Sequence, residues 1–269
     1  MSTRTAAPAL TALLRAADRL QVEIPDTLRG RIEAAVNAVR AAGDVKAQAP
    51  DLTALIADAI GEGRDPMKDK RVRDAAVDHT ILTACGPNAI TAALEQRASV
   101  VAHDNGAAIL AAFKPRYAEL GRLLTEDCAT LSAAGVDDLD HARLSVRAGT
   151  DPARAHARAL ETISTLAAID NALAQLRAYI GSDDTPVGRV VRNVDAPDVA
   201  ASDLRKLGLN PSHWQIVQQG WTLDLATPAE AKARYARAYD LQAGHERATA
   251  QAGVDAIRTR YGTGRPINV

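Results

Sequence analysis

The chain has 269 residues, 47% of them hydrophobic but only 3% aromatic, and its 32 Lys and Arg nearly cancel its 33 Asp and Glu. This length fits one to two domains, and a balanced charge with a pI near 6.6 leaves no global field to draw nucleic acid or an anionic membrane. No run of about 18 apolar residues could span a bilayer, and the N-terminus lacks the charged-then-apolar order of a signal peptide, so a cytoplasmic protein with no membrane partner is expected.

Cys85 and Cys128 lie far apart with no CxxC or Cys/His ligand spacing, which suits a reducing compartment, argues against a zinc site and marks both as small buried hydrophobes. Roughly a fifth of the positions are Ala, the best helix former and one of the least bulky, so closely packed helices are expected rather than a thick core. Arg far outnumbers Lys, and Ala, Asp and Gly displace Asn, Phe and Met, a bias that points to a GC-rich bacterium or one of its phages.

In chain order, Leu10, Leu13, Ala17, Leu20 and Ile24 recur three and four apart, the seam of an amphipathic helix ending before Pro25. Asp26 or Thr27 can cap the next helix, whose Leu28, Ile32, Ala35, Val39 and Ala42 repeat that spacing up to Gly43, giving an αα-hairpin. Beyond Pro50 a short helix carries Leu52, Leu55, Ile56 and Ile60 and stops at Gly61 and Gly63. Asp65-Pro66 then reads as a cap with Pro at the first helical position, opening a helix with Val72, Ala76, His79 and Leu82 on one face before Gly86-Pro87.

From Pro87 to Gly135 the helical signal is almost continuous, with Ile90, Leu94, Val101 and Ala108 as one stripe and Leu120, Leu124 and Leu131 as another. Pro115 should bend or divide it near Ala111. Asp151-Pro152 opens a second long helix in which Leu166, Ile169, Leu173, Leu176 and Ile180 follow heptad spacing to Gly181. The stretch 182–226 is the least regular, and its β-branched 187–194 segment reads as extended. Thr227-Pro228-Ala229-Glu230 is a capping box with proline at the first helical position, so a long helix must start there and run toward Tyr261. The fold class is all-α in four regions: helical hairpins (1–86), a long antiparallel helical pair (87–181), a short irregular or extended connector (182–226), and a long C-terminal helix with a flexible tail (227–269).

No GxxxxGK[ST] loop, GxGxxG turn, GxSxG elbow or HExxH helix is present, and Gly262-Thr263-Gly264 lacks a following helix to aim its amides at a phosphate. His79, the pair His103-Asp104 and Asp170 do stand in the order H…HD…D on predicted helices between Ala75 and Ala174. This order resembles the ligand set of the HD-domain phosphohydrolases, an all-helical metal-dependent family. The resemblance implies that the four side chains converge on a divalent cation that polarises phosphate and activates water. The chain departs from that family's pattern in Asn105-Gly106-Ala107-Ala108 after the dyad and in Glu95, Gln96 and Arg97 before it. Read on their own, His79 is a hydrogen-bonded face residue, Asp104 a partner of Arg97, and Asp170 a solvated flank of the heptad stripe.

A basic run, Arg143, Arg147, Arg154 and Arg158 with His141 and His156 nearby, could hold phosphates or acidic partner segments. Interleaved Asp137, Asp138, Asp140, Asp151 and Glu161 favour a solvated surface, and no aromatics support stacking on single strands, so nucleic acid is not the expected partner. The favoured expectation is a non-catalytic helical interaction or assembly protein, of phage or mobile-element type, with no cofactor and with a protein partner or a second copy as ligand. Its association surface is placed in the connector and C-terminal helix, on Trp214, Trp221, His213, Tyr235 and Tyr239, so that a cut at Ala226 should leave a folded core unable to assemble. The metal-dependent hydrolase and a binder of nucleic acid or acidic partners through the arginine cluster are the alternatives.

Overall fold

The computed structural model describes residues 5–47, 51–85, 87–180, 185–208 and 210–261, and the side chains of these except 44–47, 81–85, 87 and 258–261. The predicted stops at Gly86 and Gly181, the link at Pro50, the tail from Gly262 with its Gly262-Thr263-Gly264 turn, and the side chains of Leu82 and Cys85 lie outside these residues. In chain order come α1 (Ala6–Leu20), α2 (Asp26–Ala47), α3 (Leu52–Gly61), α4 (Lys70–Cys85), α5 (Pro87–Ala133), α6 (Ala142–Ala148), α7 (Thr150–Arg177), α8 (Pro186–Val191), β1 (Val194–Asp195), α9 (Ala201–Lys206), α10 (His213–Gln218), β2 (Thr222–Leu223) and α11 (Pro228–Tyr261). The all-α expectation holds, and long α5 packs against α7. Two compact units result: Met1–Ile109 with Ala172–Ile180, and Leu110–Asn171 with Gly181–Val269.

In the first unit α1 buries Leu10, Leu13, Ala17 and Leu20 on the expected seam, and α2 answers with Leu28, Ile32 and Val36. Thr5 gives α1 no side-chain cap, so Glu95 of α5 serves instead, accepting from the amides of Ala6 at 2.8 Å and Ala7 at 3.2 Å. Gly43 does not stop α2, which runs on to Ala47. Asp65 closes a single turn rather than opening α4: its carbonyl accepts from Lys68 and Asp69, and α4 begins after Asp69, whose side chain accepts from Arg71 N at 2.8 Å. The buried face of α5 here is Ala98, Ala102 and Ile109, whereas Ile90 is 37% exposed and Ala108 lies on the exposed side. Small residues win because the neighbouring helix comes close, and a Cβ on Gly106 would collide with Ile180 of the segment after α7.

In the second unit Leu110, Phe113, Tyr117, Leu120, Leu124, Cys128 and Leu131 line one face of α5 and pack with Leu166 and Ile169 of α7. Asp127 meets Arg158, while Tyr117, about three turns earlier, joins a cluster with Asp170, about three turns later, so the two helices run antiparallel. Pro115 does not divide α5, which stays helical through all 47 residues. The ring lies on the exposed side, where the carbonyl of exposed Ala111 can bond to water, and buried Phe113 and Tyr117 hold the helix on either side.

The described residues of the 182–226 stretch, 185–208 and 210–226, are more regular than expected. Val187–Val191 are helical, not extended, because Thr185 accepts from Gly188 N at 3.1 Å with Pro186 at the first helical position, and burial of Val187, Val190 and Val191 overrides their β preference. The extended part begins at Val194, where the two-residue strand Val194–Asp195 pairs antiparallel with Thr222–Leu223. β2 crosses α5 so closely that a Cβ on Gly121 would lie 2.8 Å from Leu223 Cβ and 3.0 Å from its carbonyl oxygen. The capping box at Thr227 forms as predicted, Thr227 N donating to Glu230 at 2.9 Å and Glu230 N to Thr227 Oγ1 at 3.4 Å. Among the described residues no helix is long and apolar enough to cross a membrane.

Candidate functional site

Ser212 and Gln215 form a second capping box, which sets His213 at the start of α10 with its ring turned inward. His213 Nε2 lies 2.9 Å from Asp170 Oδ2 and 3.2 Å from the hydroxyl of fully buried Tyr117. A carboxylate only accepts, so this pairing puts a proton on Nε2, and Asn193 donates to the other Asp170 oxygen at 3.0 Å. Asp170 is therefore no solvated flank. The cluster ties α10 and the approach to β1 onto α5 and α7. Beside it Trp214 is buried, its indole N–H donating to Asp137 O at 3.2 Å. Trp221 is half-buried.

A second cluster roots α11. Arg234 is buried and donates to the carbonyls of Val191 (3.3 Å), Val194 (3.1 Å) and Asp224 (2.9 Å), and it pairs with the Asp224 carboxylate. Lys114 of α5 reaches Glu230 at 2.6 Å and Asp224 at 3.4 Å, and Arg237 reaches Asp195 at 2.7 Å. Salt bridging by Lys114 and the capping bonds from Thr227 pull the Glu230 carboxyl down to about 2. Residues of α8, of β1 and of the turn after β2 thus converge on one guanidinium of α11, and nothing in the sequence pattern marked Arg234 for that role.

The residues of the H…HD…D order are engaged otherwise. His79 is exposed on α4, exposed His103 and Asp104 bond to each other at 3.0 Å rather than Asp104 to Arg97, and Asp170 belongs to the His213 cluster. Among the described residues no group of three His, Cys, Asp or Glu is placed to hold a metal ion. The arginine run divides: Arg158 reaches across to buried Asp127 at 2.5 Å, whereas Arg143, Arg147 and Arg154 are exposed. His156 is buried on the Leu139 carbonyl at 2.9 Å, and His141 pairs with Asp138 at 2.9 Å.

Along α11 the burial changes abruptly. Arg234 and Ala238 are buried, and Tyr235 and Tyr239 stack on each other at 4.7 Å, with Arg205 of α9 over the Tyr239 ring and bonded to Gln242. Ala233, Ala236, Arg237, Asp240, Leu241 and Gly244 form an open outer face of the helix. From His245 to Ile257 every residue is exposed, Val254 by 45% and Ile257 by 60%. No family model, curated protein or solved structure matches the chain.

Proposed function

We propose that this chain is a non-catalytic helical interaction protein whose outer α11 docks on a helical partner, in the simplest case a second copy. The observation that carries this reading is the uncovered run 245–257 at the end of a firmly rooted helix. An isolated helix shorter than about 12–15 residues is marginal in water, and Gly253 costs about 1 kcal/mol relative to Ala. Ala250, Val254 and Ile257 share one face, and covering the roughly half of Val254 and Ile257 that is exposed would contribute about 1 kcal/mol each. A partner helix supplies that cover. The open face through Leu241 continues the same docking path toward the root.

The truncation that tests this must spare the root. A cut at Ala226 removes Glu230 and Arg234 and so damages the second unit, contrary to the expectation of an intact core, whereas a stop after Gly244 keeps both clusters. The shortened chain should melt as the full chain does yet assemble more weakly in light scattering, or lose its partner in pull-downs. A full chain that is monomeric at high concentration and captures no partner, or a truncation that assembles equally well, overturns the reading.

A further inference from the structure

Helix α6 is unusual in what it buries. Of its seven residues only Ser145 is buried, while Leu144 is 45% and Val146 68% exposed. Arg143, Val146 and Arg147 stand at positions i, i+3 and i+4, so one outward face carries an apolar side chain between two guanidiniums. A seven-residue helix that contributes almost nothing to its own core, and turns its apolar side chains to water, is shaped for contact with something else.

Helix α4 carries the complement. Asp74, Val77 and Asp78 have the same i, i+3, i+4 spacing, all three are exposed, and Val77 is 58% exposed. Asp74, Asp78, Arg143 and Arg147 have no ion-pair or hydrogen-bonding partner among the described residues. We infer that the chain self-associates head to tail, the Asp74-Val77-Asp78 face of α4 on one copy seating on the Arg143-Val146-Arg147 face of α6 on another. In the antiparallel register Asp74 meets Arg147, Asp78 meets Arg143, and Val77 packs on Val146.

The two faces differ, so the contact is heterologous: each copy offers one of each, and the association propagates instead of closing as an isologous pair. A second copy is favoured over an anionic membrane because two or three small apolar side chains fall far short of even a single acyl chain, which itself gives only marginal binding. The contact goes beyond the α11 reading and uses none of its residues.

The test is sedimentation equilibrium of the full chain over a range of concentration and salt. The double variants D74R/D78R and R143E/R147E should each weaken association at least ten-fold, as should V146D, with helical circular dichroism unchanged because every position is exposed. An equimolar mixture of the two double variants, and a chain carrying all four substitutions, should recover association, since both restore opposite faces. Self-association should also weaken as salt rises. The inference is overturned if the wild type is monomeric throughout, if the double variants associate like the wild type, if neither mixture nor four-fold variant recovers, or if R143E/R147E abolishes binding to anionic vesicles while self-association persists. Double variants that associate normally, in a chain whose mass falls only on truncation after Gly244, would sink this contact and leave the α11 reading standing.

Discussion

Replacing Arg234 by alanine should be among the most destabilising single changes in the second unit. The guanidinium serves three carbonyls, those of Val191, Val194 and Asp224, and the Asp224 carboxylate, all from a buried position. Removing one partner of a buried, hydrogen-bonded charge pair costs about 3–5 kcal/mol. Lys114, 3.4 Å from Asp224, keeps that carboxylate paired and places the loss near the lower end, about 3 kcal/mol. For a unit of this size each kcal/mol lowers the melting temperature by roughly 2–4 °C, so a fall of about 6–12 °C is expected. Arg234→Lys should recover only a minor part of the loss, because an ammonium cannot spread its donors over carbonyls fixed in the guanidinium's fork geometry. Calorimetry and urea titration at one pH and salt concentration measure both variants. A melting temperature of Arg234→Ala within about 2 °C of the wild type would refute the idea that this one side chain fastens α8, the strand pair and α11 together.

Glu230 provides a pH signature: its folded value of about 2 lies below the usual 4.5, so its stabilisation is complete above pH 4.5 and is lost as pH falls from there toward 2. With the carboxyl 43% exposed, solvent screening reduces the effect to about 1 kcal/mol, and Glu230→Gln should flatten the acid limb of a stability–pH curve by that amount. Trp214→Ala should cost about 3–5 kcal/mol in denaturant melts while leaving the mass in solution unchanged, and a change of mass with little loss of stability would instead make that ring an association anchor.

What the sequence revealed, it revealed through local chemistry. The Thr227-Pro228-Ala229-Glu230 box needs only neighbours three apart, and the α1 and α7 seams rest on large apolar residues at helical spacing, so both could be read before any tertiary structure. The first stripe of α5 misled because ranking by side-chain size favours Ile90 and Leu94, whereas close helix approach selects Ala98, Ala102 and Gly106. Val187–Val191 misled in the opposite way, since β-branched composition spoke louder than the Thr185-Pro186 start signal. The joining of the His213 and Arg234 clusters left no local trace: His213, Asp170 and Glu230 stood out for other reasons, and their partners come from distant parts of the chain.

A 34-residue helix is about 50 Å long, and α11 is gripped over roughly its first four turns and exposed from His245 to Ile257. That makes it a lever. A load applied near Ile257 acts about 35 Å from the Arg234 fulcrum, and its torque falls on hydrogen bonds to Val191, Val194 and Asp224 rather than on the apolar seam between α5 and α7. Tension transmitted through an assembly would therefore peel the β1–β2 pair and α8 first, and the long helical pair would outlast its own attachment point.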